Sequence, residues 1–276
     1  MFTFHPVERL IYVDSLVTVF DYQRSKGYYF PGETHNFWEC VFIQEGAVTA
    51  TADERVYQMN AGQLLLHKPM EFHRMWAEPG CAPWVVNISF TAHGELLQHL
   101  QDRCFTLTSA QIDQYRQIVD VFNQVLDSPN QKGSYQYELT IHQTAYMLET
   151  FLIGLISSDQ GNVPRHSPND ERYRKIVQVM QQNCHLNLSI AQIAELCEMS
   201  ISNLKRVFHQ YSDVGIAKYF LTLKVRRAME LLDSDMPANQ VASELNFPDV
   251  AYFYTVFKRE TGITPTQYRQ NQGPPT

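Results

Sequence analysis

Between Ile193 and Arg269 the chain writes one pattern twice. Leu204, Val207, Phe208 and Tyr219 recur 49 residues later as Phe253, Val256, Phe257 and Tyr268, and Ile193-Ala194 recur 48 residues later as Val241-Ala242. A repeat at fixed spacing is one supersecondary unit used twice, with one extra residue in the turn of the second copy. Within the first copy, Ile190, Ile193, Ala194 and Cys197 form one helical stripe; after a short break Ile201, Leu204, Val207, Phe208 and Tyr211 form another. Each copy is therefore two short helices joined by a tight turn, with Ser200 placed to cap the second helix. The outward face of that helix is Ser202, Asn203, Lys205, Arg206 and His209. Small, polar and cationic side chains of this kind reach base edges in a major groove. One copy alone is equally a plain helical hairpin with a solvated face; two copies at fixed spacing point to paired helix-turn-helix units.

The net charge of −7 looks opposed to a nucleic-acid partner until it is divided along the chain. From Asp170 onward 12 Lys and Arg face 11 Asp and Glu, a balance of +1, so the rest of the chain carries −8. A nearly neutral C-terminal third with its cations gathered on particular helices is compatible with DNA binding.

The first part of the chain has a different period. Segments such as "SLVTVFDY", "WECVFIQ", "AVTAT", "QLLLHK" and "PWVVNISF" are rich in β-branched and aromatic residues and separated by turn formers, which predicts a sandwich or small barrel. After Thr106 the period becomes helical: Ile112, Tyr115, Val119, Phe122 and Leu126 share one stripe, and Ile141, Ala145, Leu148, Leu152 and Leu155 share another. Leu139, Tyr146 and Ile153 widen the apolar surface of the second helix, which serves either to pack on the barrel or, over residues 135–156, to form a dimer seam. The polar stretch "SSDQGNVPRHSPND" reads as a linker. No apolar run approaches the ~18 residues of a membrane span, and no secretory leader pattern opens the chain. Five cysteines without a C-x-x-C argue against disulfides and zinc knuckles. The expectation from these features is a cytoplasmic protein without a membrane partner.

The fragment "VASELNFPDVAYFYTVFKRETGITPTQYR" resembles the C-terminal signature of the AraC/XylS transcription regulators, and "YFLTLKVRRAMELL" resembles the long helix that joins their two helix-turn-helix units. The resemblance implies two recognition helices entering successive major grooves of double-stranded DNA. By motif position, base-edge contacts fall on Ser202, Asn203, Lys205 and Arg206 in the first unit and on Val250, Ala251, Tyr254 and Thr255 in the second. Lys224 stands where the family usually has Arg, a phosphate contact. Gly262 is expected to end the second recognition helix at positive φ, and Pro265 to start the next helix. Asn246 and Asp213 stand at positions where the family has Gly, which implies left-handed backbone there. Thr255 replaces a common Arg, which implies weaker direct readout by the second unit.

The N-terminal part resembles, more loosely, the cupin sensor domain carried by many of these regulators. Glu33, His35 and Glu39 keep the spacing of the first cupin motif, with Glu33 in place of its first His, and His73 stands near the second motif. The resemblance thus implies an α+β chain of two domains: a cupin-like ligand-sensing β-barrel over 1–105, a helical dimerisation and coupling region over 106–157, a linker over 158–171, and an all-α double helix-turn-helix domain over 172–272. His35, Phe37, Glu39, His73 and Met75 are the ligand-binding candidates, Phe37 and Met75 by period-2 alternation. Glu33, His35, Glu39 and His73 also suit Zn, Mn or Fe(II), yet the same groups serve to hydrogen-bond a ligand or the core, and no cofactor is required. The function this implies is a sequence-specific transcription regulator, not an enzyme, controlled by a small molecule, with sugars the frequent effectors. A second copy of the chain and RNA polymerase are its further partners. The alternative is a metal-dependent cupin enzyme, an isomerase or dioxygenase, joined to a DNA-binding domain.

Overall fold

The computed structural model describes residues 3–6, 8–127, 131–158, 161–162 and 168–271. Its first part runs β1 (Tyr12–Gln23), β2 (Tyr29–Glu33), β3 (Trp38–Glu45), β4 (Ala47–Ala52), β5 (Arg55–Asn60), β6 (Gln63–His67), β7 (His73–Ala77), β8 (Trp84–His93) and β9 (Cys104–Thr106), with a two-residue β10 (Gly161–Asn162). These pair, all antiparallel, into a six-stranded sheet of order β1-β8-β3-β6-β9-β10 and a four-stranded sheet of order β2-β7-β4-β5. The expected barrel is thus a cupin-like pair of facing sheets whose hydrogen bonding does not close into a ring. Val41, Ile43, Val48, Ala50, Tyr57, Met59 and Leu65 pack between the sheets.

Helices α1 (Ser109–Leu126) and α2 (Tyr135–Ser158) lie against the six-stranded sheet. Thr108 starts α1 with a full capping box to Gln111, and Tyr115 donates its hydroxyl to the carbonyls of Cys40 and Val86, anchoring the helix to the sheet. Leu148, Phe151, Leu152 and Leu155 of α2 are buried, while Leu139, Tyr146 and Ile153 remain exposed along the other side. Half of the linker expected over 158–171 falls outside the described residues; within its described part, β10 pairs with β9 and α3 has already begun at Pro168.

The C-terminal helices are α3 (Pro168–Gln182), α4 (Ile190–Leu196), α5 (Ile201–Tyr211), α6 (Ile216–Asp233), α7 (Ala238–Glu244), α8 (Val250–Thr261) and α9 (Pro265–Asn271). The repeat in the sequence is a repeat in the backbone. Ser200 caps α5 and Asp249 caps α8, each accepting from the amide three residues on, and the two hairpin turns pass through Glu198 at φ 57° and Asn246 at φ 53°. Gly262 ends α8 at φ 83°, as its spacing predicts. Asp213 departs from expectation: the chain leaves α5 through an extended Ser212 at φ −151°, so no left-handed residue is needed there. Leu204, Val207 and Phe208 bury the inner face of α5 in one core, and Phe253, Val256 and Phe257 bury that of α8 in another, with α6 running between them.

The two domains share these cores. Val56 and Phe72 of the β domain pack into the first helical cluster and Met70 into the second. At the centre of the contact lies Asp53, fully buried at the β4–β5 turn, where Arg226 of α6 donates to its two oxygens at 2.5 and 3.0 Å. The Tyr219 hydroxyl and the Phe72 amide also donate to Asp53, at 3.0 and 3.1 Å. Burial pushes the Asp53 carboxyl up, but Arg226 outweighs it and holds the group below its ordinary value. A depressed folded-state pKa means that the interdomain contribution is complete above the ordinary Asp value of about 4 and is lost as pH falls from there toward the folded pKa. Asp53→Asn leaves Arg226 buried without its charge partner, a change that costs about 3–5 kcal/mol. The variant is expected to melt earlier and to show a larger radius of gyration in solution scattering, as is the parent below pH 4; an unaltered radius and melting temperature in the variant would exclude this pair as the interdomain lock.

Candidate functional site

The exposed side of each recognition helix follows from its buried side. With Leu204, Val207 and Phe208 facing the core, Ser202, Lys205 and Arg206 are exposed and Asn203 is half-buried, its Oδ1 accepting from the Arg206 guanidinium at 2.9 Å. On α8 the exposed residues include Val250, Ala251 and Thr255. Tyr254 is half-buried against the second core, and its hydroxyl sits 3.1 Å from Thr266 of α9. Lys258, exposed one helical turn beyond Tyr254, was not among the motif positions; the 49-residue repeat could have found it, because it places Lys258 where the first unit has His209.

Lys224 does not stand where a phosphate contact must. It is 4% exposed, its ammonium donates to Asn187 Oδ1 at 2.6 Å and lies over the Phe247 ring, and desolvation lowers its pKa. Asn187 in turn donates to the carbonyl of Asn246, and Asn246 donates back to the carbonyl of His185. Lys224 is therefore a brace between the entry to the first unit and the turn of the second. Asn246 replaces Gly with an anchor, because its amide is used as well as its tolerance of positive φ.

The second site lies between the sheets. Glu39 on β3 and His73 on β7 are buried, and Glu33 on β2 pairs across the four-stranded sheet with His73. Asn87 of β8 donates to Glu39 Oε1 at 2.9 Å, which leaves Glu39 Oε2 facing His73 Nε2 at 3.2 Å and His35 Nε2 at 3.8 Å. His35 Nδ1 lies 3.0 Å from the Phe37 carbonyl and His73 Nδ1 lies 3.2 Å from the Glu71 carbonyl. A carbonyl only accepts, so both rings carry their first proton on Nδ1 and turn Nε2 toward the carboxylates. Both Nε2 atoms are buried without a hydrogen-bond partner. Burial pushes the Glu39 carboxyl up, but the two imidazoles hold it well below the usual carboxylate range; burial pushes His73 down, and Glu39 outweighs that and raises it.

A cupin-like domain implies a metal in this position, and the residues fit one. One donor atom from each of Glu33, His35, Glu39 and His73 lies within 4.8 Å of the others, and both imidazoles are oriented by backbone carbonyls as metal-ligating histidines are. The adjoining cavity has a volume of about 120 Å³. Glu39, His73 and Met75 line it as expected, whereas His35 stands beside it and Phe37 is outside, stacked on His35 with ring centres 3.8 Å apart. Phe37 precedes β3, so strand alternation does not govern it. Arg24 and Tyr28 of the β1–β2 connection, Phe30 of β2 and Asn87 of β8 are among the other lining residues; β8 lies far along the chain from the first three, and the pairing of the strands brings them together.

The pocket and the recognition helices touch through neighbouring residues. Next to His35, Asn36 donates to the Thr261 carbonyl at the end of α8, at 3.1 Å; next to His73, Arg74 donates to the Gln210 carbonyl near the end of α5, at 3.3 Å. Arg74 also donates to Tyr29, whose hydroxyl bonds Asp213.

Residues 17–138 match the family described as the AraC-like ligand binding domain, and residues 193–271 match a helix-turn-helix domain. The chain belongs to the AraC family. It is a DNA-binding regulator of that family with an N-terminal ligand-binding domain. The arabinose operon regulatory protein of Escherichia coli is 28% identical over 54% of this chain and 50% of its own length. That of Salmonella typhimurium is 25% identical over 82% of this chain and 80% of its own length. The solved structure of ToxT from Vibrio cholerae is 16% identical over 95% of this chain and 98% of that one, with a TM-score of 0.41, too distant a likeness to carry an argument.

Lys224→Met removes one hydrogen bond to the exposed Asn187, which water can replace, so it is expected to destabilise the C-terminal domain by only about 0.5–1.5 kcal/mol. The slope of DNA affinity against salt should stay as in the parent, because that slope counts phosphate contacts. A slope reduced by about one ion would return Lys224 to the phosphate backbone.

Proposed function

We propose that this chain is a sequence-specific transcription regulator, not an enzyme, whose hold on its operator is set by a small molecule of the sugar class bound between the two sheets. The observation that carries the reading is the pairing of pocket and helix end: His35 with Asn36 and His73 with Arg74, each inward imidazole followed by a residue that grips a recognition helix. A ligand that binds one arrangement of these two segments better than another biases both helices, by no more than its difference in affinity. The names of the arabinose regulators support a sugar-class effector. The exposed Leu139, Tyr146 and Ile153 of α2, spaced at whole heptads, support a homodimer through that helix. The reading includes contact with RNA polymerase, from the resemblance, and a cytoplasmic location.

Arg206→Ala should cost about 1–3 kcal/mol on operator DNA, since a bidentate Arg–guanine contact is worth that in discrimination, and much less on random DNA. One protomer should protect two segments about 10 base pairs apart, one per recognition helix. Combining Asn36→Ala with Arg74→Ala is expected to shift operator affinity by about fivefold or more without any effector present. Equal losses on both DNAs for Arg206→Ala would remove the recognition role, and an unmoved affinity in the double variant would remove the coupling route.

The convergence of two Nε2 atoms and two carboxylates favours a second reading, in which Glu33, His35, Glu39 and His73 hold a divalent cation. Bound there, it would supply a Lewis-acidic centre for a ligand oxygen. Protein stripped with chelator should then bind Zn(II) or Mn(II) in calorimetry, and Glu39→Gln should lose that binding. Stripped parent protein with no heat of binding for either ion would dispose of the metal.

A further inference from the structure

The effector pocket holds two polar groups whose needs the protein does not meet. Arg24 follows β1, fixed by its amide to the Pro83 carbonyl at 2.8 Å, and its guanidinium stands over the Tyr28 and Tyr22 rings at 4.9 and 5.3 Å. Among the described residues no carboxylate pairs with it, and its Nε is buried without an acceptor. Deeper in the pocket, Asn87 commits its Nδ2 to Glu39, which fixes the amide's orientation and leaves the buried Oδ1 without a donor.

The two deficits are of opposite kind. A planar guanidinium seated on aromatic faces, with no acid beside it, is most favourably completed by an anion of matching fork geometry, a carboxylate above all. A buried carbonyl oxygen is completed by a hydroxyl or amine donor. Glu33, whose side chain is half-exposed beside His73, adds a second acceptor at the pocket. Phe30 and Tyr28 supply flat apolar walls of the kind that cover the C–H face of a sugar ring. A neutral sugar would satisfy Asn87 and Glu33 but leave the Arg24 charge without a counter-charge.

We propose that the effector is a small hydroxylated carboxylate, a sugar acid or a shorter hydroxy acid, with its carboxylate on Arg24 and its hydroxyls on Asn87 Oδ1 and Glu33. This rests on the reading of the pocket as the effector site, and narrows the sugar class to its acids.

The test uses the full chain, stripped of metal, and three matched pairs of probes: galacturonate with galactose, glucuronate with glucose, and lactate with propane-1,2-diol. Binding is read from the arginine Nε–H resonances in nitrogen-15 NMR, with Arg24 assigned by its loss in Arg24→Lys. The acids are expected to move the Arg24 resonance saturably while their neutral partners at equal concentration do not. Arg24→Gln should weaken the best acid at least about tenfold, the worth of one charge-assisted hydrogen bond, with the circular dichroism spectrum unchanged. A neutral sugar that saturates the pocket while the acids leave Arg24 in place overturns the acid class and leaves the sensor reading standing. An Arg24 resonance that no acid moves overturns the anion site, whatever the operator assays return for the regulator.

Discussion

The Asp53 carboxylate has no access to water, and its hydrogen-bond donors among the described residues come from Phe72 of its own domain and from Tyr219 and Arg226 of α6 in the other. A buried ion pair contributes little net stability, since desolvation offsets much of the attraction. What it contributes is selection: any other seating of the helical domain strands a charge in a dry interface. Arg226 extends the constraint by donating also to the Met70 carbonyl, at a residue held in left-handed backbone at φ 61°. One carboxylate at one turn thus sets where both helix-turn-helix units stand relative to the effector pocket.

That arrangement divides the molecule into a part legible in its sequence and a part that is not. The recognition helices were legible because helical stripes, cap residues and a terminal Gly are local signals, and the repeat states the stripes twice; Ser200, Phe257 and Gly262 occupy the roles their spacing implies. The resemblance gives Lys224 the place of a phosphate-binding Arg, and what turns it inward instead is Asn187, 37 positions away, which no local pattern announces. Asp213 misled for a related reason: replacing a Gly can mean that the backbone has changed course, as it does at Ser212.

The pocket was legible only in outline. Glu39, His73 and Met75 announce themselves by cupin spacing and strand alternation, whereas Arg24 and Tyr28 sit in the connection between β1 and β2 and Asn87 enters through the register of β8 with β3. Asp53 carried no signal at all, since an Asp at a hairpin turn is ordinary and its partner lies 173 residues on.

The grips of Asn36 on α8 and of Arg74 on α5 have a thermodynamic consequence that runs against the usual direction of signalling. Free energy of coupling has no arrow: whatever the pocket's occupant does to DNA affinity, DNA must do to the occupant's affinity by the same factor. A base sequence that seats both recognition helices comfortably and one that strains them will therefore leave the His35 and His73 segments in different states. The operator is then itself a ligand of the sensor, and two promoters read by this one protein can answer to different concentrations of the same small molecule.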